Sequence, residues 1–342
     1  MTIGAFAKPV TSLFSGRFFV VSVLPTSAAA LYLLVLWKAG APGPVEFGRA
    51  WSALGRTGAG GIVALVLLVA IAAKISEPFQ LVVLRWLEGA WPHRLRRLTD
   101  WCVHRQRTKR GDVDARVPAG STPEVVHRSG LNVVLAARRY PRPHEDHLLR
   151  PTALGNVLTA TELRAGRPYG LDAVTVWPLL EPLLDDKVRA AVADRRDSMD
   201  ALARLSVTSA LLVPLSLWLL WRSGWWLLLA AGLVALSRLA YLAAVQAALA
   251  FGECVVSAVH LHHLDLPRAL HLPLPPDIVA EVAQNRRLTR FLLQNGRLGL
   301  PYEHPAPATP DPAAPPTTPP AAPPAPAPVP PQAGEPGATA GW

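Results

Sequence analysis

Charge and cysteine are both scarce in this chain. Of 342 residues only 17% are Asp, Glu, Lys or Arg, against about 25% in an ordinary soluble domain. The two cysteines, Cys102 and Cys254, stand far apart and flank different apolar segments, which excludes a disulfide framework and a cysteine zinc pattern. No Gly-rich phosphate loop, no GxSxG elbow and no SxxK occurs, so the common phosphate-binding and serine-nucleophile signatures are missing. Together these absences argue against a simple soluble enzyme, a secreted disulfide scaffold and a disordered regulator. No motif names a reaction, and neither catalysis nor a cofactor is expected.

Apolar sequence is what the chain has instead. Hydrophobic residues make up 51%, and the mean hydropathy is +0.25 despite a polar, proline-laden end. A helix needs about 20 mostly apolar residues to cross a bilayer, and four stretches qualify. The first, residues 18–37, is uncharged. Arg17 and Ala28-Ala29-Ala30 mimic a signal peptide, but the run continues through Leu36, beyond a signal core of about 7–15 residues. A retained helix is therefore expected. The second, 58–84, is interrupted late by Lys74, Glu77, Pro78 and Gln80. The third and fourth, 205–221 and 224–252, are joined by Trp221-Arg222-Ser223-Gly224-Trp225-Trp226. Tryptophan belongs at headgroup level, which makes this a tight turn at a membrane surface. Between the first two spans, Phe47, Trp51 and Leu54 sit at helical spacing and predict a short interfacial helix.

The formal net charge of +10 comes from 34 Lys+Arg against 24 Asp+Glu. The positives are unevenly placed. Arg85, Arg94, Arg96, Arg97, Arg105, Arg107, Lys109 and Arg110 follow the second span, and five more precede the third, whereas the turn between spans three and four carries Arg222 alone. By the positive-inside rule, the middle of the chain and both termini face the cytoplasm. The fold expected is mostly α: a polytopic protein of the cell membrane, with four transmembrane helices in two hairpins flanking a small, mainly helical cytoplasmic insert. The hairpins occupy 1–91 and 205–266, the insert 92–204, a cytoplasmic C-terminal helix 267–300, and a Pro/Ala-rich disordered tail 301–342.

Within the insert, the basic segment Arg94, Arg96, Arg97, Arg105, Arg107, Lys109 and Arg110 lies on an amphipathic helix with Leu95, Leu98, Trp101 and Cys102. Next to a span this predicts contact with anionic lipid headgroups rather than nucleic acid. Val133–Ala137 and Ala173–Val176 read as short strands. Thr152 caps a helix that reaches Arg164 and is ended by Gly166 and Pro168. A further helix from Val188 runs straight into the third span. Trp101, Tyr169 and Trp177 form an expected packed aromatic set. Asp277 caps a last helix to Gln294. From Pro301 onward 16 of 42 residues are proline and none is Lys or Arg, a composition that stays extended and builds no core.

Two polar groups deserve chemical consideration. Lys74, Glu77 and Arg238 fall at similar depths in their spans, Lys74 and Arg238 both ~21 Å from the outer end at 1.5 Å per residue. Buried membrane charges pair or line a cavity, so an interhelical clamp is expected, with an ion path as the alternative. Glu253, His260 and His263 share one side of a continuous helix, a spacing that could hold a transition metal. The second histidine group, His144-Glu145-Asp146-His147, is not the HExxH of a metalloprotease. The readings open at this point are a membrane scaffold or sensor-like component that binds partners, a channel or transporter subunit acting as a homo-oligomer or with another membrane protein, and a membrane metalloenzyme.

Pro151-Thr152-Ala153-Leu154-Gly155-Asn156, Arg167-Pro168-Tyr169-Gly170-Leu171-Asp172 and Val176-Trp177-Pro178 resemble a pattern in uncharacterised bacterial multi-pass membrane proteins, which are similar in layout too. The resemblance spans roughly residues 130–275. It implies membrane segments around a cytoplasmic insert and carries no activity with it.

Overall fold

Helix is the regular structure throughout the part of the chain that the computed structural model describes: residues 24–55, 85–113, 133–294 and 299–303, with positions 60, 61, 67, 71, 82 and 130. By internal contacts the chain divides into two units, Met1–Tyr302 and Glu303–Trp342. The described helices of the first include α1 (Leu24–Lys38), α2 (Phe47–Gly55), α3 (Arg96–Val113), α4 (Ala153–Gly166), α5 (Ala173–Leu180), α6 (Asp186–Leu220), α7 (Leu228–His262), α8 (Asp265–Ala269) and α9 (Ile278–Gln294). No strand occurs among the described residues, and both expected strands are helical. Val133–Ala137 lies within a helix over 133–139, because Leu135, Ala136 and Ala137 are strong helix formers and a lone five-residue strand would leave its backbone unpaired. Ala173–Val176 opens α5, where the Asp172 carboxylate accepts from the Thr175 amide at 3.2 Å and caps the helix.

The centre of the molecule is the antiparallel pair α6 and α7, 35 residues each. Their contact is built from small residues: Ala203, Ser206, Ser209 and Ser216 on α6, and Ala230, Ala240, Ala244 and Ala248 on α7, are all buried. Ser206 Oγ donates to the Ser237 carbonyl and Ser237 Oγ to the Ser206 carbonyl, both at 2.9 Å. Large apolar side chains point away: Leu211 is 65% exposed, Trp218 63%, Leu228 67% and Leu239 65%. This is the inverse of a soluble core and the pattern of helices packed in lipid. Both helices are long and apolar enough to cross a membrane, and only 28% and 17% of their apolar windows are buried.

Helix α1 packs beside the C-terminal half of α6. Tyr32 Oη lies 3.0 Å from Ser216 Oγ, and Leu36, Ala41 and Leu220 are buried in one cluster. The turn after α1 meets the turn after α6, where Ser223 Oγ donates to the Gly43 carbonyl at 3.2 Å. The Phe47 ring of α2 sits 4.4 Å from Trp226. The expected short helix between the first two spans is therefore present as α2. The four-span expectation stands differently. Two helices meet the length and apolarity of a span; the first expected span is described only as the 15 residues of α1, and the second, with Lys74 and Glu77, falls largely outside the described residues.

At the opposite end of α6 and α7 a layer of shorter helices forms the main core. Leu154 and Val157 of α4, Val176, Trp177 and Leu180 of α5, Val192 and Met199 of α6, Phe251, Val255 and Val259 of α7, and Leu288 of α9 are buried together. Thr152 caps α4 through the Gly155 amide at 3.1 Å, and Asp277 caps α9 through the Ala280 amide at 2.7 Å, both as the sequence predicts. Helix α6 runs unbroken from this layer into its apolar half. Trp101 does not join the core. It is 57% exposed, with the Arg105 guanidinium 5.7 Å from its ring centroid, because α3 turns its other side, Gln106 and Arg110, inward.

Candidate functional site

Polar groups among the described residues collect where α4 crosses α7, toward the Asp186 end of α6 and the His262 end of α7. One close approach fixes that crossing, and a second brings the 85–90 segment against α4. A Cβ on Gly252 of α7 would lie 2.3 Å from Thr161 Oγ1 of α4, and one on Gly155 would lie 2.2 Å from the Glu88 carbonyl oxygen. Neither position has room for a side chain. Tyr241 of α7 then reaches the start of α4, and its hydroxyl oxygen accepts from the Ala153 amide at 3.0 Å and the Leu154 amide at 3.4 Å. Thr152 Oγ1 donates to the Leu87 carbonyl at 2.5 Å, which ties the 85–90 segment to the same helix end.

Beside this crossing, Glu253 of α7 receives Arg164 Nη1 at 2.8 Å and Arg138 Nε at 3.4 Å. On the other side of α4 lies an acidic group. Burial raises the Glu162 carboxyl from 4.5 to about 7, the charges of Asp172 and Glu88 push in the same direction, and Arg150 opposes them. Glu88 is raised as well, by burial first and then by Asp200, against Arg196, Arg150 and Arg85. The Arg150 backbone is held by Asn156, which accepts from the Arg150 amide at 2.7 Å and donates to its carbonyl at 3.0 Å.

The three candidate metal ligands have separate partners. Glu253 is engaged by arginines, and His263 Nδ1 lies 2.6 Å from Glu281 Oε1 of α9. The His263 ring stacks on Tyr169 at 4.0 Å and 18°, while His260 meets the Tyr169 edge at 5.6 Å. His262 pairs with Asp265 at 2.8 Å. Among the described residues no group of three or more His, Cys, Asp or Glu is placed to hold a metal ion. In the His144–His147 group, Glu145 pairs with Arg167, and Asp146 pairs with Arg107 and Arg110. These carboxylates pin the basic helix α3 and the 3₁₀ turn after α4 to the layer. The basic segment is thus divided: Arg107 and Arg110 engage Asp146, whereas Arg94, Arg96, Arg97, Arg105 and Lys109 are exposed. Of the expected intramembrane cluster only Arg238 is described, with its guanidinium 5.9 Å from the Tyr241 ring.

Several residues of this layer carry no sequence signal. Arg138 and Arg164 reach Glu253 across 115 and 89 positions, and nothing in their spacing announces it. Glu281 stands 18 positions from His263 and reads as an ordinary first-turn acid of α9. Tyr241 reads as one more apolar residue of a span. No family model, no curated protein and no solved structure matches this chain.

Proposed function

We propose that the chain is a four-span protein of the cell membrane, with both termini in the cytoplasm, that acts as a non-enzymatic scaffold or sensor-like component. The observation that carries the membrane part is the inverted burial of α6 and α7, with serine and alanine inside and leucine and tryptophan outside. The adjoining turns at 39–46 and 221–227 support one outer side for both hairpins, and the excess of arginine after residue 85 supports a cytoplasmic inner layer.

Two surfaces support the binding part. Exposed Leu95 in the 3₁₀ turn before α3, with Leu98 and Trp101 on α3, set among Arg94, Arg97 and Arg105, suit a helix lying in the anionic headgroup region. On the inner layer Leu261 is 71% exposed, Val279 75% and Leu293 62%, apolar groups left for a protein partner. The ion-paired carboxylates and the separately partnered histidines favour recognition over catalysis.

Membrane sidedness is tested with single cysteines in a Cys102→Ser, Cys254→Ser background. Arg222→Cys is expected to react with an impermeant thiol reagent on intact cells, and Ser198→Cys only after lysis. The reverse pattern would overturn the topology. For the binding part, affinity capture in mild detergent is expected to retain a stoichiometric protein partner that Val279→Asp releases, with no metal in the sample. Stoichiometric metal together with no partner would replace the scaffold reading by an enzymatic one.

A further inference from the structure

Between the 133–139 helix and the inner end of α7 lies a half-open cavity of about 260 Å³, lined by Leu135, Arg138 and Arg139 on one side and Gln246, Leu249 and Glu253 on the other. Its charge is unbalanced. Arg138 and Arg139 line it and Arg164 stands behind it, yet among the described residues Glu253 is the one carboxylate in the lining, and it is already shared between Arg164 at 2.8 Å and Arg138 at 3.4 Å. Arg139 Nε is buried and has no hydrogen-bond partner among the described residues. Buried guanidinium N–H groups are nearly always satisfied, so this donor and the surplus positive charge call for an anion. Guanidinium forks match phosphate oxygens in pairs.

The sequence of α7 indicates which phosphate. Leu239, Leu242, Gln246, Leu249 and Glu253 recur at intervals of three and four and form one stripe of the helix. Leu239 is 65% exposed and Leu242 46%, and this open leucine surface runs directly into the cavity. Twenty residues counted from Leu228 end at Ala247, about the length that crosses the hydrocarbon core. In the membrane reading proposed above, on which this inference rests, the leucines therefore lie at acyl-chain depth and the arginines at headgroup depth.

We propose that this cavity is a binding site for one anionic phospholipid. Its phosphate is held by Arg138 and Arg139, with Gln246 as a further hydrogen-bonding group, and an acyl chain lies along Leu249, Leu242 and Leu239. The site is separate from the α3 surface, where exposed arginines make a diffuse rather than a shaped contact.

The test uses the purified full chain in neutral detergent, titrated with phosphatidylglycerol, phosphatidylcholine or inorganic phosphate, with thermal unfolding as readout. Phosphatidylglycerol is expected to raise the midpoint saturably, and the other two to leave it unchanged. The double variant Arg138→Gln, Arg139→Gln is expected to weaken the effect about tenfold or more, whereas Arg94→Gln with Arg97→Gln retains it. Equal responses of wild type and the Arg138/Arg139 variant would overturn the site, and an equal response to inorganic phosphate would overturn its lipid character. Should the double variant not fold, phosphatidylglycerol with a photoreactive acyl chain is expected to label wild-type α7 between 239 and 253, and adducts confined elsewhere would overturn the proposal. Alkaline extraction of wild-type membranes separates this outcome from the wider reading: release of the chain would refute membrane insertion itself, whatever the titration shows.

Discussion

Glu162 shows what a single carboxyl can do to this layer. Its folded value near 7 lies above the 4.5 expected when exposed, so the folded state holds a proton that the unfolded state releases. Below about pH 4.5 both states are protonated and the residue is neutral in its effect. As pH rises toward 7 the unfolded chain ionises first and stability falls, and above 7 the penalty is constant. Glu162→Gln is therefore expected to stabilise at pH 8 and to change nothing at pH 4, as read by thermal melts at both values. The gain is on the order of 1–2 kcal/mol, less than the full shift implies because the residue is only half-buried. A gain that is the same at both pH values would mean the effect is packing, not ionisation.

At the scale of elements, the small-residue seam between α6 and α7 is the contact that everything else leans on. Ala244 is fully buried there, so Ala244→Leu must push the axes apart and is expected to cost about 1–3 kcal/mol. Ser206→Ala and Ser237→Ala each remove one hydrogen bond and are expected to cost only about 0.6 kcal/mol apiece. Unfolding in mixed micelles distinguishes the two; a serine effect as large as the leucine effect would make hydrogen bonding, not close approach, the main source of the packing. The seam also shows where the sequence was informative. Runs of apolar residues with the Trp-Arg-Ser-Gly-Trp-Trp joint sufficed to locate α6, α7 and their turn, and capping side chains at Thr152 and Asp277 sufficed to place two helix starts. The short apolar pieces at 133–137 and 173–176 misled, because runs of that length do not distinguish a strand from a helix. Their state is decided by the Asp172 cap and by the surfaces they pack on. The polar layer was harder still. Its members meet only because α4 crosses α7 at Gly252, and a crossing between elements so distant along the chain leaves no periodicity to read. Trp101 illustrates the same limit, since aromatic content alone does not say which side of α3 turns inward.

The whole molecule divides by contacts at Tyr302, and from Pro301 onward 16 of 42 residues are proline. Removing residues 303–342 is expected to leave the unfolding midpoint and the oligomeric state within error of the full chain, as measured by melting and by light scattering in detergent. A lowered midpoint would show that the end supports the helical unit after all.

The unbroken course of α6 has a mechanical consequence. One helix of 35 residues serves both the apolar pair and the layer of shorter helices, with no loop between them; Pro214 stands inside it and removes a ladder hydrogen bond there, so the layer rides on the stiff stretch that precedes this proline. Transmembrane helices adapt to bilayer thickness by tilting, and a tilt of about 10° swings the far end of a ~42 Å rod by ~7 Å. In the membrane reading proposed above, bilayer thickness would then be converted into lateral displacement of α4, α5 and α9 as one body. Spin labels at 198 and 211, both before Pro214, should keep a constant separation between thin and thick bilayers while the angle of their connecting line to the membrane normal changes. A separation that changed with thickness would locate a bend within α6 and abolish the lever.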